Sequence, residues 1–179
     1  MFLDESGMLL GPWVRRSWSP RGHTPVLYQR GRHHKKVSVM AVLGISPARD
    51  QVRLYFRLYP NANIQAPHVI GFLRYLDQEL QGSWLLVWDR LNAHRAKITA
   101  QWIATRKTLR TVFLPAYAPE LNPVEYAWGY LKMNPLANLA FAETQQLARA
   151  THRHARSLQK KQPLLRSFIR HSPLSLRLT

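Results

Sequence analysis

The sequence of 179 residues contains no cysteine and few acidic residues. Without cysteine it cannot form disulfides or zinc sites that need thiolate ligands. Nine Asp and Glu stand against 26 Lys and Arg, which gives a formal net charge of +17 at pH 7. The usual partner of so basic a surface is the phosphate backbone of nucleic acid. These features favour a cytoplasmic, nucleoid-associated protein.

Long apolar runs and a basic N-terminal leader are also missing. No run approaches the ~20 apolar residues that span a bilayer. The first ten residues, MFLDESGMLL, carry acids where a signal peptide needs positive charge. We therefore expect no membrane partner. The hydrophobic content of 46% and the six Trp are instead those of a globular chain with a buried core.

Acids are absent from two segments, between Ser6 and Arg49 and after Glu143. The stretch WVRRSWSPRGHTP in the first segment interleaves Trp with Arg, which indicates a DNA-facing loop with Arg15 and Arg16 as candidate contacts. A solvated loop anchored by its aromatics is the alternative. The second segment is basic and predicted to be helical. The basic residues of the first segment are Arg15, Arg16, Arg21, Arg30, Arg32, Lys35 and Lys36.

Hydrophobic patterning predicts an alternation of strands and helices. The predicted strands are 2–5, 37–45, 52–60, 83–89 and 110–117, and the predicted helices are 66–80, 96–107, one starting at Asn122 or Pro123, and others after Pro135. The second and third strands form a hairpin. This order predicts an α/β domain with a mixed sheet flanked by helices over residues 1–134, followed by a basic helical tail over 135–179.

Three carboxylates occupy positions that favour chemistry. Asp4 ends the apolar start MFL, and Asp89 ends the apolar run WLLVW. A buried acid at a strand end is costly unless it is paired or binds a metal, and ligands of open α/β sheets bind at such ends. Glu125 lies at a helix start in PAYAPELNPVEYAW. Together the three can converge on one divalent cation site.

Each carboxylate has a plainer alternative. Glu125 lies three residues after Asn122, the spacing of a helix capping box. Asp4 can simply be solvated near the start of the chain. Asp89 can form an ion pair with Arg90, Arg95 or His94. Glu5 follows Asp4 and, on a strand, points to the opposite face.

The three segments together resemble the DDE transposases of bacterial insertion sequences related to mariner elements. The matching stretches are FLDESG, LLVWDRLNAHRA and LPAYAPELNPVEYAWGYLK, in that order, and the resemblance covers roughly residues 1–134. It implies an RNase H-like fold with Asp4, Asp89 and Glu125 as the catalytic and metal-binding triad. Glu120 is the rival third carboxylate, but Glu125 fits the motif because it lies two residues past Asn-Pro.

The resemblance further implies two Mg²⁺ or Mn²⁺ ions, which suit oxygen ligands and in-line displacement at phosphorus. The implied activity is strand cleavage at transposon ends and strand transfer into target DNA by a homodimer. Relatives usually carry a helix-turn-helix region before the first aspartate. Since that aspartate is residue 4, we expect this region to be absent here and supplied by an upstream reading frame.

Further candidates surround the triad. His94 is expected to support the metal ligands or to contact phosphate, with an ordinary polar residue as the alternative. Lys132 is a candidate phosphate contact, and Trp128 shares the helix face of Glu125 but is more often a core residue. Two other functions stay open: an RNase H-like nuclease or resolvase, and a transposase remnant that only binds DNA.

Overall fold

The computed structural model describes residues 1–28 and 35–179; Arg30 and Arg32 of the predicted basic loop lie outside this part. Within it the strands are β1 (Phe2–Leu9), β2 (Lys36–Ile45), β3 (Val52–Pro60), β4 (Trp84–Trp88) and β5 (Leu109–Phe113). The helices are α1 (Ala66–Glu79), α2 (Asn92–Arg95), α3 (Lys97–Ala104), α4 (Val124–Met133), α5 (Thr144–Gln159) and α6 (Gln162–His171), with a 3₁₀ turn at Pro119–Leu121.

One mixed sheet holds the five strands in the order β3-β2-β1-β4-β5. The predicted hairpin of β2 and β3 is present, and β1 also pairs antiparallel with β2. On its other side β1 pairs parallel with β4, which pairs parallel with β5. The central strand β1 therefore joins an antiparallel half of the sheet to a parallel half, and the predicted mixed sheet flanked by helices is confirmed.

Both faces of the sheet are covered, because the central strands carry apolar residues on both sides. Phe2 and Met8 of β1 belong to a core cluster that includes apolar residues of α4, α5 and α6. Leu3 belongs to a second cluster with α1 and with Trp88 of β4. Successive residues of a strand point to opposite faces, so neighbours on β1 face different sets of helices.

The basic C-terminal segment is helical, as predicted, but its helices are not a peripheral tail. Leu147 and Leu158 of α5 and Leu165 of α6 are fully buried in the same cluster as Phe2. Gln162 also exchanges hydrogen bonds with the backbone of Val52, at 2.7 and 3.2 Å. The charge lies on the exposed sides of these helices, while their apolar sides complete the core under the sheet.

Three local predictions differ from the structure. The first strand continues to Leu9 instead of ending at Glu5, because its later residues pair with β2, so Asp4 lies inside β1 and not at a strand end. The fifth strand ends at Phe113 rather than at Tyr117, because its single neighbour β4 ends at Trp88 and leaves the later residues without a pairing partner. The short helix α2 was not predicted. Among the described residues, no helix is both long and apolar enough to cross a membrane.

Candidate active site

The sheet register brings Asp4 and Asp89 to the same edge. Phe2 of β1 lies opposite Val87 of the parallel strand β4, and two residues further along each strand the chain reaches Asp4 and Asp89. Because side chains alternate with a period of two, Asp4 lies on the face of Phe2, toward α4. Trp88 and Phe113 are paired at the ends of β4 and β5, so these two strands end here, whereas β1 continues to Leu9.

The start of α4 brings in Glu125. Asn122, just before the helix, donates a hydrogen bond of 2.9 Å from its amide to the carbonyl of Leu3, which fastens the helix start to the strand that carries Asp4. The helix itself begins at Val124, after Pro123. Asn122 Oδ1 accepts a hydrogen bond of 3.3 Å from the Val124 N–H, but the Asn122 N–H donates to the Pro119 carbonyl at 2.8 Å and not to Glu125. The capping-box alternative for Glu125 is therefore wrong, and its exposed side chain is free to face the cleft.

Asp4, Asp89 and Glu125 line one cleft of about 500 Å³. Arg90, Arg95 and the loop that follows β5 complete its lining. Glu120, the rival third carboxylate, is exposed on the 3₁₀ turn and does not line the cleft. Residues that are distant in the sequence thus meet: one inside the central strand β1, one directly after β4 and one at the start of α4.

The carboxylate of Asp4 is buried with little compensation for its charge. Its residue is only 9% exposed, and the indole Nε1 of Trp128 donates a hydrogen bond of 2.7 Å to Oδ2. Burial, followed by the nearby charges of Glu125, Glu5 and Asp89, raises the pKa of Asp4 to about 8, and these effects outweigh the Trp128 hydrogen bond, which lowers it. A cation beside Asp4 would remove this penalty.

Asp89 lies in the opposite electrostatic setting. Its side chain is half exposed, and its Oδ1 accepts hydrogen bonds from His94 Nδ1 at 2.8 Å and from the Leu91 backbone N–H at 2.9 Å. The His94 hydrogen bond lowers the pKa of Asp89 below its ordinary value. Asp89 is therefore held as an oriented, charged ligand.

His94 bridges Asp89 to a carboxylate on the other face of β1. Its ring is buried, stacks on Trp88 at 4.3 Å between centroids, and places Nε2 2.8 Å from Glu5 Oε1. Carboxylates only accept hydrogen bonds, so both ring nitrogens must donate. Although burial opposes the charge, the hydrogen bonds with Asp89 and Glu5 raise the pKa of His94 to about 9.

Glu5, Asp89 and His94 also have the donor atoms of a metal site, within 4.8 Å of one another. Their geometry is nevertheless that of an ion pair. Each ring nitrogen is already 2.8 Å from one carboxylate, and the two nitrogens of an imidazole point away from each other. One cation cannot replace both contacts, so we assign this cluster to support of Asp89.

Three residues predicted to contact DNA lie outside the cleft. Lys132 is half-buried, with Nζ 6.0 Å from the Trp13 ring centroid, and burial lowers its pKa. The Arg15 guanidinium donates hydrogen bonds to the Met133 carbonyl at 2.7 Å and to Asn134 at 2.6 Å. Arg15 thus fastens its loop to the end of α4, whereas Arg16 is exposed.

A basic stripe runs along α5. Arg149, Arg153, Arg156 and Lys160 are exposed and recur at steps of four, three and four residues, which places them on one side of a helix. We call this stripe the α5 arginine face. It lies opposite the buried leucines of the same helix and is available for phosphate contacts.

Glu5 is the site residue that the sequence pattern did not reveal. Strand alternation correctly places it on the face away from Asp4, but nothing in β1 indicates a partner there. The one signal in the sequence was His94, which lies five residues after Asp89 and can therefore contact both Asp89 and a residue of the neighbouring strand β1. The two ends of that contact are 89 residues apart in the sequence.

With this geometry in view, the comparisons identify the family. A family model described as DDE superfamily endonuclease matches residues 1–148, and the chain belongs to that family. The predicted class, a DDE-type endonuclease, is confirmed. No curated protein sequence is significantly similar to this chain.

Solved structures with the same fold include several of Mos1 transposase. A Mos1 paired-end complex with the left transposon end matches with a TM-score of 0.72 and 18% identity over 96% of this chain and 51% of that one. A Mos1 paired-end complex with Mn matches with a TM-score of 0.69 at 18% identity, covering 96% of this chain and 52% of that one.

The isolated catalytic domain of Mos1, determined with Raltegravir and Mn, matches with a TM-score of 0.54 and 13% identity over 98% of this chain and 84% of that one. This likeness confirms the predicted RNase H-like fold. The chain spans about half the length of the full Mos1 chains.

Proposed function

We propose that this chain is the catalytic core of a transposase that cuts and joins DNA strands at the ends of an insertion sequence. The observation that supports this most is the meeting of Asp4, Asp89 and Glu125, from three separate elements, in one cleft of a chain with net charge +17. Membership of an endonuclease family supports a phosphodiester as the substrate. The Mos1 neighbours in complex with transposon ends support DNA.

The three carboxylates suit hard divalent cations, which prefer oxygen ligands. The buried carboxylate of Asp4 lies near the charges of Glu125, Glu5 and Asp89, and Trp128 is its hydrogen-bond donor. We propose that Asp4, Asp89 and Glu125 hold two Mg²⁺ or Mn²⁺ ions, a choice supported by Mos1 complexes determined with Mn and with Mg. When bound, the ions supply Lewis-acid stabilisation of both the attacking and the leaving oxygen.

The residues around the triad orient it. Trp128 fixes one oxygen of Asp4, while His94, itself held by Glu5, fixes one oxygen of Asp89. The His94 side chain is buried, so its role is to orient Asp89 and not to touch phosphate. Arg90 and Arg95 line the same cleft and are the candidates to hold the phosphates of the bound strand.

The reaction is proposed as two displacements at phosphorus in the same cleft. In the first, water attacks the scissile phosphate and releases a 3′ hydroxyl at the transposon end. In the second, that hydroxyl attacks a phosphate of the target strand. Neither step needs a covalent bond between protein and DNA, so no side-chain nucleophile is assigned.

Recognition of the ends is proposed to come from a helix-turn-helix product of an upstream frame, and the working complex to be a homodimer. Base contacts, commonly made by a helix in the major groove, supply sequence specificity. In a competition binding assay at matched salt, this chain should bind terminal-repeat and scrambled duplexes with similar affinity. A strong preference for the repeats would show that the core itself reads sequence.

A strand-transfer assay tests the proposed activity. A labelled terminal-repeat duplex and a supercoiled target plasmid are incubated with the protein in Mg²⁺, Mn²⁺ or EDTA. We expect nicked ends and joined products with either metal and none in EDTA. Cleavage confined to RNA–DNA hybrids would favour the RNase H-like alternative, and binding without cleavage would favour a remnant that only binds DNA.

A further inference from the structure

The loop after β5 gives the cleft an apolar side. Pro115, Ala116 and Pro119 are exposed there, next to Leu91, which is 38% exposed. Phosphoryl transfer on a phosphodiester needs oxygen ligands and cations. An apolar wall supplies neither of these, so its presence in the cleft calls for another explanation. Exposed apolar surface beside a polar site commonly marks a place where a ligand docks.

Tyr117 is the most prominent residue of this wall. Its side chain is fully exposed, yet it lines the same cleft as Asp4, Asp89 and Glu125. Its backbone has a φ of 59°, in the left-handed region that bulky side chains seldom occupy. Strained residues of this kind cluster at ligand sites, and an exposed ring offers no packing that would offset the strain.

The chain around Tyr117 restricts where the ring can go. Pro115 and Pro119 flank it and fix two backbone torsions of the loop. Leu114 anchors one end, since its N–H donates to the Trp88 carbonyl at 2.7 Å, and Asn122 anchors the other through Leu3. The ring therefore projects from a loop whose two ends are attached to the strands that carry the aspartates.

We propose that Tyr117 is a stacking platform for an unpaired nucleobase next to the scissile phosphate. This inference rests on the proposed function, because it requires DNA in the cleft. Every base has a π face, so an exposed aromatic ring binds bases of any sequence. Arg90 and Arg95 line the cleft and can bind the adjoining phosphates. A base must leave the duplex stack to reach the ring, so Tyr117 holds the strand open at the cut.

The test compares Tyr117→Ala and Tyr117→Phe with wild type in single-turnover nicking of a terminal-repeat duplex. Substrates carry one abasic nucleotide at successive positions on either side of the cut. On the intact substrate, Tyr117→Ala should nick about 10–100-fold more slowly at sub-saturating DNA, as expected for losing one base stack. Tyr117→Phe should stay within about twofold, because the ring and not the hydroxyl stacks.

The abasic series identifies the cause of any loss. At the position whose base stacks on Tyr117, wild type should slow to the rate of Tyr117→Ala, and the variant should lose nothing more. Tyr28→Ala serves as the control, because Tyr28 is 87% exposed and does not line the cleft; its rates should match wild type. Melting temperatures of all variants confirm folding.

Three outcomes would overturn the inference. Tyr117→Ala nicks as fast as wild type, or its defect is the same on every abasic substrate, or Tyr117→Phe is as slow as Tyr117→Ala. In each of these cases wild type still nicks with Mg²⁺, so the proposed function stands. If wild type nicks with neither metal, the proposed function fails first and this inference fails with it.

Discussion

The carboxylate cleft and the α5 arginine face represent two ways of arranging charge in one chain. Two acids of the cleft, Asp4 and Asp89, accept hydrogen bonds of 2.7 Å from Trp128 and 2.8 Å from His94, and His94 is itself held by Glu5 at 2.8 Å. The arginines of α5 are exposed on a single helix. Catalytic carboxylates must be held in fixed positions, whereas the electrostatic attraction between arginine side chains and phosphates acts at a distance and tolerates movement of the side chains. Substitutions in the cleft should therefore alter rate, and substitutions on the arginine face should alter affinity.

The largest effect is expected from Asp89→Asn. The amide keeps the shape of the side chain but removes the charge that a cation requires, so Mg²⁺-dependent nicking should fall at least about 10³-fold. Binding to the same duplex, measured by fluorescence anisotropy, should stay within about twofold. Asp50→Asn is the matched control, since Asp50 is an exposed turn residue outside the cleft. Nicking by Asp89→Asn at the wild-type rate would remove Asp89 from the mechanism.

Glu5→Gln should have an intermediate effect on rate. The amide can no longer balance the charge of His94, so the contact that orients Asp89 weakens, and the Mn²⁺ concentration for half-maximal nicking should rise about 10–100-fold. Glu79→Gln, on the exposed side of α1, controls for the loss of one carboxylate.

A structural defect would instead lower the rate equally at every Mn²⁺ concentration, including saturation. In the Asp89→Asn background, Glu5→Gln should add almost nothing, because the residue that it orients is already inactive. Independent, additive losses in the double variant would contradict the link through His94.

Asp4→Asn should separate stability from activity. In EDTA at pH 8 the variant should melt about 2–8 °C above wild type, because an amide needs no counter-charge when buried and can still accept the Trp128 hydrogen bond. Mg²⁺ should raise the melting temperature of wild type more than that of the variant. A lower melting temperature for Asp4→Asn in EDTA would show that its charge is already compensated.

The smallest effect is expected from the α5 arginine face. The triple change Arg149→Gln, Arg153→Gln and Arg156→Gln should reduce the slope of log affinity against log salt by about 2–3, if each side chain contacts one phosphate. The rate at saturating DNA should not change. The control is a triple change at the exposed residues Arg74, Lys97 and Lys107. A change in the nicking rate at saturating DNA would contradict the assignment of rate to the cleft and of affinity to the α5 arginine face.

Point substitutions are required here, because deleting α5 and α6 would also remove part of the core. Leu147, Leu158 and Leu165 are completely buried against the sheet. The sequence contained this information as apolar residues at helical spacing. The segment's net charge suggested a tail because composition averages the exposed and the buried side of a helix.

The strands were predictable from apolar runs, and Asp89 from its place directly after β4. Asp4 was predicted at a strand end but lies inside β1, because pairing with β2 extends that strand to Leu9. The pairing of β1 with β4 was not, because sheet order depends on contacts between distant segments. For the same reason, the meeting of Glu5 with His94 escaped local patterns. The extent of β5 was overestimated, since Val112 to Leu114 suits a strand and the missing partner beyond Trp88 lies elsewhere in the sequence.

The central position of β1 has a consequence for the newly synthesised chain. The antiparallel pairings of β1 with β2 and of β2 with β3 join strands that are consecutive in the sequence. The strand β4, which pairs with β1, is synthesised only after the β2–β3 hairpin and α1. Contacts between distant segments form slowly, and Phe168 and Ile169 of α6 are needed to close the core beneath the sheet. During synthesis Asp4 therefore leaves the ribosome before β4 and α4, which bring Asp89 and Glu125 to it, so the carboxylate cleft can form only after most of these residues have been translated.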